Sequence, residues 1–295
     1  MFVTRFAATS LGSMAYVTSE DAIEAPRSPL IFFHGFGGGA SSYEWSKVYP
    51  AFATAHPVFA PDLLGWGRSQ HPQRDYTSED YLVSLEDFIR AVSDVPVTAI
   101  ASSFTAALII RLAVLRPELF DSIFLVCPSG FRDFGQAAER RIPAPIINTP
   151  GLDRAIYALG ATNELAVRSF LERFIFADRD RISPDIVNAY LTSARKPNAD
   201  YAALSFLRGD LYFDLAQYVP DLSVPTALVW GDLARFTPPE IGQKLANLNR
   251  DRVYLYPSIP DAGIFPHLEL PAIVTGLLAR WLQSLCSMPG RSLEA

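Results

Sequence analysis

The sequence predicts an α/β fold with a mostly parallel central sheet, helices on both faces and an inserted helical lid. Two observations support this. Short apolar runs alternate with amphipathic runs through the first 130 residues, which is typical of βαβ units. From about Phe131 to Tyr218 the strand pattern stops and helical periodicity dominates, before strand-like runs return. We therefore divide the chain into a core, a lid and a tail, at residues 1–130 plus 219–287, 131–218 and 288–295.

Eight short runs of apolar and β-branched residues predict strands. The first two indicate an opening antiparallel pair, and the others follow the βα alternation. In chain order they are Val3–Ala8, Ser13–Val17, Pro29–Phe33, Val58–Ala60, Val97–Ala101, Ser122–Val126, Thr226–Trp230 and Val253–Tyr256.

Helical periodicity predicts three helices in the core and four in the lid. In the core, Ser78 is a candidate N-cap, and Arg116-Pro117 ends the helix that follows the fifth strand. The predicted helices are Ser78–Val92, Phe104–Leu115, Leu152–Leu159, Glu164–Phe176, Pro184–Ala194, Ala199–Arg208 and Leu270–Leu285.

The composition excludes several classes of function. Hydrophobic residues make up 49% and charged residues 19% of the 295 residues, and the net charge is −6. These values are typical of a globular protein with a large core, and without a Lys/Arg-rich run nucleic-acid binding is not expected. No apolar run is long enough to span a membrane, and two distant cysteines, Cys127 and Cys286, fit a reducing compartment. We expect a cytoplasmic protein, and the sequence does not predict its oligomeric state.

A glycine-rich turn follows the third predicted strand, where His34-Gly35-Phe36 leads into three glycines. Glycines allow the backbone to approach a ligand closely. A backbone N–H in such a turn can point at a developing negative charge.

A second motif follows the fifth strand, where residues 101–106 read A-S-S-F-T-A, and a third reads D-L-L-G-W-G-R-S at 62–69. With the glycine turn, they resemble the lidded α/β-hydrolase family of esterases, haloalkane dehalogenases, epoxide hydrolases, haloperoxidases and C–C bond hydrolases. The resemblance implies that Ser103 occupies the nucleophile position of the G-x-S-x-G elbow. It also implies that the N–H groups of Phe36, in the glycine-rich turn, and of Phe104 are the two oxyanion donors. Thr105 is bulkier than the glycine usual there.

The resemblance fails at two catalytic positions. The family places an acid in W-G-x-x-D, and here Trp230-Gly231 is followed by Ala234 at that position. The family places the base in G-H-x-x-H-x-E-x-P, and here Ile264 stands at the first histidine. A serine nucleophile needs a base, and that base needs an orienting acid.

Relocated groups could fill these two roles. His267 and His34 are candidate bases, although both also fit structural roles, at a helix start and within the glycine turn respectively. Asp133, Asp232 and Asp261 are candidate acids, but each also fits a solvated loop carboxylate. We expect the two other histidines, at positions 56 and 71, to be exposed to solvent.

Three functions remain open. The first is serine hydrolysis of a small apolar ester or related substrate. The second is binding of a hydrophobic small molecule or a partner under the lid without catalysis. The third is a non-hydrolytic reaction, such as a lyase reaction, that uses Ser103 and the oxyanion donors alone. The sequence predicts no cofactor and no metal site, because it contains no matching motif.

Overall fold

The computed structural model describes residues 1–20, 23, 27–136, 149 and 151–286. Eight strands form one sheet, and they agree with the predicted runs to within a few residues. They are β1 (Phe2–Thr9), β2 (Gly12–Ser19), β3 (Leu30–Phe33), β4 (Val58–Pro61), β5 (Val97–Ser102), β6 (Phe120–Val126), β7 (Thr226–Val229) and β8 (Val253–Leu255).

The strand order in the sheet is β1-β2-β4-β3-β5-β6-β7-β8. The first two strands pair antiparallel to each other, β2 pairs antiparallel to β4, and every later pair is parallel. All residues of β3, β5 and β7 are buried, as expected for parallel strands covered on both faces. The predicted fold class is therefore confirmed.

Nine α-helices accompany the sheet in the described ranges. They are α1 (Ser78–Val92), α2 (Ser103–Leu115), α3 (Leu152–Ala161), α4 (Glu164–Phe170), α5 (Pro184–Ala194), α6 (Ala199–Arg208), α7 (Pro239–Leu248), α8 (Pro266–Glu269) and α9 (Pro271–Cys286).

Three details of the helix predictions are wrong. Thr77, not Ser78, caps α1, because Thr77 and Asp80 form a reciprocal capping box. Helix α4 stops at Phe170 and continues as a π-helical turn to Ile175. Helix α7 was not predicted; its buried face is small, with Gly242, Leu245 and Ala246 as its buried residues.

Between β6 and β7 the described chain contains helices and turns but no strand. We call residues 131–218 the helical insertion. It packs onto the glycine turn at the carboxyl edge of the sheet. A Cβ at Gly38 would contact the Ala161 side chain at 3.1 Å, and one at Gly39 would meet the Tyr190 carbonyl at 2.2 Å. Glycine is therefore required at position 39, where φ is +93°.

From the sequence we expect most apolar side chains of the insertion to pack in its interior and some to line an apolar pocket, and the described ones differ in burial. Tyr157 and Phe176 are buried, but Leu159 is 75% exposed. Ile146 and Ile147, which belong to the same set of apolar residues, and the predicted tail at 288–295 lie outside the described residues. Each helix in the described ranges is too short or too polar to cross a lipid bilayer.

Candidate active site

Ser103 lies between β5 and α2, in a strained backbone conformation. It is the first residue of α2, its φ is 53°, and only 3% of its surface is exposed. A non-glycine residue in the left-handed region costs about 1–3 kcal/mol and persists only where the surrounding structure enforces it. Here the neighbouring strand ends enforce it: Ala101 pairs with Phe33 in β3, and Ser102 pairs with Val126 in β6.

Thr105, the departure from the family pattern, ties the elbow to the glycine turn. Its hydroxyl donates a hydrogen bond to the carbonyl oxygen of His34 at 2.6 Å, and both residues are fully buried. A glycine at this position would leave that carbonyl without this donor. The larger side chain is therefore accommodated because it contributes a buried hydrogen bond.

The two candidate oxyanion donors come from segments that pack against each other. The rings of Phe36 and Phe104 meet edge to face, with centroids 5.0 Å apart. Phe104 is the second residue of α2, so its N–H has no carbonyl one turn earlier in the helix. No described residue accepts a hydrogen bond from the Phe36 N–H. Neither backbone donor is therefore used by a described residue.

A buried carboxylate, which the sequence analysis missed, holds the glycine turn. Glu44 is 1% exposed, and its Oε2 accepts the Gly35 N–H at 2.8 Å. The hydroxyl of Tyr190, from α5 of the insertion, donates to Glu44 Oε1 at 3.0 Å. Burial and the Glu44 charge raise the pKa of Tyr190 well above its usual value. Nothing in the sequence pairs residues 146 positions apart.

The loops that carry positions 234 and 264 lie side by side. The Leu233 N–H donates to the Ala262 carbonyl at 2.9 Å, and a Cβ on Gly231 would lie 2.1 Å from the Gly263 oxygen. Both side chains are buried, Ala234 at 5% and Ile264 at 2% exposure. The two loops are therefore adjacent, and the side chains at these positions are a methyl group and a sec-butyl group, neither of which can transfer a proton.

His267 is buried without a hydrogen bond. Its ring stacks on Trp45 with centroids 4.0 Å apart, and its Nε2 lies 3.9 Å from Glu44 Oε2. Neither ring nitrogen has a hydrogen-bond partner among the described residues. Burial lowers the pKa of His267, opposed by the nearby Glu44 carboxylate. The candidate base is therefore a neutral ring that does not contact the Ser103 hydroxyl.

The other three histidines bond to the backbone. The His34 Nε2 accepts the Leu63 N–H at 2.9 Å, and its Nδ1 lies 2.7 Å from the Gly35 carbonyl, so both ring nitrogens are used. His56 lies 2.8 Å from the Ser28 carbonyl and is only 6% exposed. Our expectation that His56 is exposed to solvent is therefore wrong. His71 is half-buried beside the Gly67 carbonyl.

Among the candidate acids, Asp133 is buried, contrary to our expectation of a solvated loop carboxylate. It accepts hydrogen bonds from the Ser129 hydroxyl and from the backbone of Gly130 and Leu215. Because two ends of the insertion converge on this carboxylate, it serves as a backbone anchor in this structure. Asp232 and Asp261 are exposed.

Cys127 is a second nucleophilic side chain near the elbow. It follows β6 with a φ of 46° and is completely buried. Burial raises the pKa of its thiol to about 12. Because the thiolate is the reactive form, this cysteine is inert at neutral pH.

An aromatic cluster from the insertion surrounds the elbow. The Phe206 ring centroid lies 5.4 Å from that of Phe36 and 5.5 Å from that of Phe104. Phe131 packs against Phe206, and Phe213 packs against Phe104. These side chains form an apolar wall that includes both candidate oxyanion residues. Within the described ranges, no three His, Cys, Asp or Glu side chains come together as they would to hold a metal ion.

Comparison with known proteins places this geometry in a family. A sequence profile described as alpha/beta hydrolase fold matches residues 28–270. A 2-hydroxy-6-oxo-6-(2'-aminophenyl)hexa-2,4-dienoic acid hydrolase from Metapseudomonas resinovorans is 28% identical over 251 residues, which cover 82% of this chain and 80% of that protein. The human 1-acylglycerol-3-phosphate O-acyltransferase ABHD5 is 28% identical over 172 residues, 56% of this chain and 46% of that protein.

Solved structures have the same fold. A serine hydrolase involved in carbazole degradation superposes with a TM-score of 0.77 at 23% identity, over 96% of this chain and 99% of that one. The haloalkane dehalogenase variant DbeA-M1 from Bradyrhizobium elkanii also has a TM-score of 0.77, at 18% identity, over 97% and 98%. The chain belongs to the α/β-hydrolase fold family.

Proposed function

We propose that this protein binds an apolar carbonyl compound between the Ser103 elbow and the helical insertion, without turning it over through a Ser-His-acid triad. This is the second of the three functions left open by the sequence. The observation that supports it most directly is the placement of the histidines: each of the four is held in a packing or backbone contact that does not involve the Ser103 hydroxyl.

The absence of a base beside Ser103 would lower the turnover rate by a very large factor. Removing the serine or histidine of a triad costs about 10⁶ in turnover. An enzyme with a median turnover near ~10 s⁻¹ would then fall to the order of 10⁻⁵ s⁻¹. A rate of that size does not support metabolism, whereas binding does not depend on the base.

The groups that would bind a ligand do not depend on a base or an acid. The Phe36 and Phe104 amides can donate to a carbonyl oxygen because they are backbone groups and need no particular side chain. The aromatic wall around them offers apolar area, which suits a ligand with a hydrophobic body. The insertion, acting as a lid, would cover such a ligand from water.

Serine hydrolysis of a small apolar ester is the second candidate. The strained Ser103 backbone, with φ of 53°, favours it, because such strain clusters at catalytic sites. The bacterial relative named above is a hydrolase. This candidate requires a base that moves to Ser103 when substrate binds.

Two measurements separate these functions. Fluorophosphonate labelling and p-nitrophenyl butyrate hydrolysis are compared for the wild type and Ser103→Ala. We expect no labelling above the Ser103→Ala background and equal hydrolysis rates. Rapid labelling of the wild type that is lost in Ser103→Ala would establish the hydrolase instead.

Binding is measured by calorimetric titration with butyrophenone, a ketone that resembles an ester but cannot be hydrolysed. We expect Phe206→Ala to weaken binding by about tenfold, the equivalent of ~1.4 kcal/mol of lost contact. Leu207→Ala is the matched control, because Leu207 is 41% exposed and lies next to Phe206 on α6. Equal affinities in both variants would place the ligand elsewhere.

A further inference from the structure

The outer edge of the sheet carries a cavity of about 440 Å³ between β8 and α9. Its wall includes Arg250, Arg252 and Arg280. Strand β8 is the last in the sheet order, so the only described strand it pairs with is β7. Ser103 is not part of this wall, and the cavity is therefore separate from the site described above.

The cavity concentrates positive charge on an acidic protein. Three arginines face one aspartate, Asp251, in a chain whose net charge is −6. Arg250 donates to the neutral Asn247 Oδ1 at 2.8 Å. Neither Arg252 nor Arg280 forms a side-chain hydrogen bond or ion pair with any residue in the described ranges.

Many, though not all, of the arginines elsewhere in the described residues pair with carboxylates. Arg68 bonds Asp62 at 2.9 Å, and Arg90 bonds Glu86 at 3.0 Å. Like charges that outnumber their counter-charges repel one another, and here three arginines share one aspartate. An anion in this cavity would relieve the repulsion among the arginines and would receive charge-assisted hydrogen bonds from their planar guanidinium groups.

Aromatic residues complete the wall. Tyr254 is half exposed, and Trp281 is 3% exposed. The indole N–H of Trp281 is buried and has no acceptor among the described residues. Donors therefore exceed acceptors in this region. The half-exposed Tyr254 ring offers flat apolar surface to a planar ligand, whereas the Trp281 ring is almost wholly covered. Both features complement one molecule, with an acidic group and an aromatic body.

We propose that this cavity binds a small aromatic carboxylate, with the carboxylate held by Arg252 and Arg280 and the ring lying against Tyr254. Arginine recognises a carboxylate through two parallel N–H donors, and it also stacks on aromatic rings. This site is independent of the proposed function at Ser103, because no residue of the aromatic wall around the elbow lines it.

The test is calorimetric titration with three probes: 2-naphthoate, its neutral isostere 2-naphthamide, and inorganic phosphate. We expect 2-naphthoate to bind at least about tenfold more tightly than each of the other two, because only it combines the charge with the ring. Arg252→Gln and Arg280→Gln should each weaken its binding by about tenfold, equivalent to one lost charge-assisted contact.

Arg179→Gln is the matched control, since Arg179 is an exposed arginine of the insertion, with a side chain 80% exposed. Both Arg179→Gln and Phe206→Ala should leave the affinity for 2-naphthoate unchanged. Equal affinity for 2-naphthoate and 2-naphthamide would overturn the proposal, as would unchanged binding in both arginine variants. Loss of 2-naphthoate binding in Phe206→Ala would overturn it too, by placing that probe at the elbow.

Discussion

The Glu44 carboxylate accepts a hydrogen bond from the Gly35 N–H at 2.8 Å, inside the turn that carries the candidate oxyanion donor Phe36. Its other oxygen accepts the Tyr190 hydroxyl of the insertion. One buried carboxylate thus connects the glycine turn to the helices above it. Because burying a carboxylate is costly unless its oxygens are hydrogen-bonded, both contacts are needed for the local structure to form.

Glu44→Gln should lower the free energy of unfolding by roughly 1–3 kcal/mol. A glutamine amide has only one acceptor oxygen. Its NH2 group, itself a donor, would therefore face either the Gly35 N–H or the Tyr190 hydroxyl. Urea unfolding measures the change. Glu118→Gln is the control, because Glu118 is exposed and forms only a surface ion pair with Arg90, worth at most about 1 kcal/mol. Equal losses in the two variants would contradict a structural role for Glu44.

Thr105→Val should destabilise the protein by roughly 1–3 kcal/mol, because it leaves the buried His34 carbonyl without this donor. Valine keeps the shape and removes only the hydroxyl group. Thr105→Ser keeps the hydroxyl and should retain most of the stability. Thermal and urea unfolding of the three proteins test this. A serine variant as unstable as the valine variant would show that packing, not the hydrogen bond, selects threonine.

The double substitution Ala234→Asp plus Ile264→His should create ester hydrolysis at Ser103. We predict that residues 234 and 264 occupy the positions of the missing acid and base. The double variant should exceed the wild type by at least about 10²-fold on an activated ester, the low end for one positioned acid–base group. Each single variant should remain near the wild-type rate, because triad members act as a unit.

The single variants also serve as controls. A buried carboxylate introduced alone at position 234 lacks a partner and should reduce stability. Circular dichroism verifies that each variant is folded. A folded double variant that is no faster than the wild type would show that these two positions do not face the Ser103 hydroxyl.

Stability should fall as the pH drops below about 6.5, in part because of His267. Burial lowers the pKa of this imidazole below its ordinary value of 6.5. Between the lowered and the ordinary pKa, the unfolded chain binds more protons than the folded chain, so acid favours unfolding. The contribution is at most about 1.4 kcal/mol per pH unit, the equivalent of one proton.

His267→Phe keeps a ring that can stack on Trp45 and removes the titrating group. Its unfolding free energy should therefore depend less steeply on pH below 6.5 than that of the wild type. Because burial also lowers the pKa of His56, some pH dependence should remain. Parallel pH profiles for the variant and the wild type would mean that His267 does not titrate differently on folding.

The sequence by itself determined the fold class and the elbow. Period-two and helical patterns are local, so the strands and most helices could be located to within a few residues. The motifs around Phe36 and Ser103 are also local, because sharp turns demand small residues at fixed spacings. The predicted replacements of the acid and the base at Ala234 and Ile264 depend on local evidence of the same kind, the intact motifs on either side of each.

Only the tertiary structure decided what the polar residues contact. It places Glu44 between Gly35 and Tyr190, uses both nitrogens of His34 in backbone contacts, and buries His267 against Trp45. Several of these partners lie far apart in the chain, Glu44 and Tyr190 by 146 positions, and no periodicity relates them. Whether a buried carboxylate or imidazole is charged, bonded or inert depends on burial and on nearby groups, which are set when distant segments pack together.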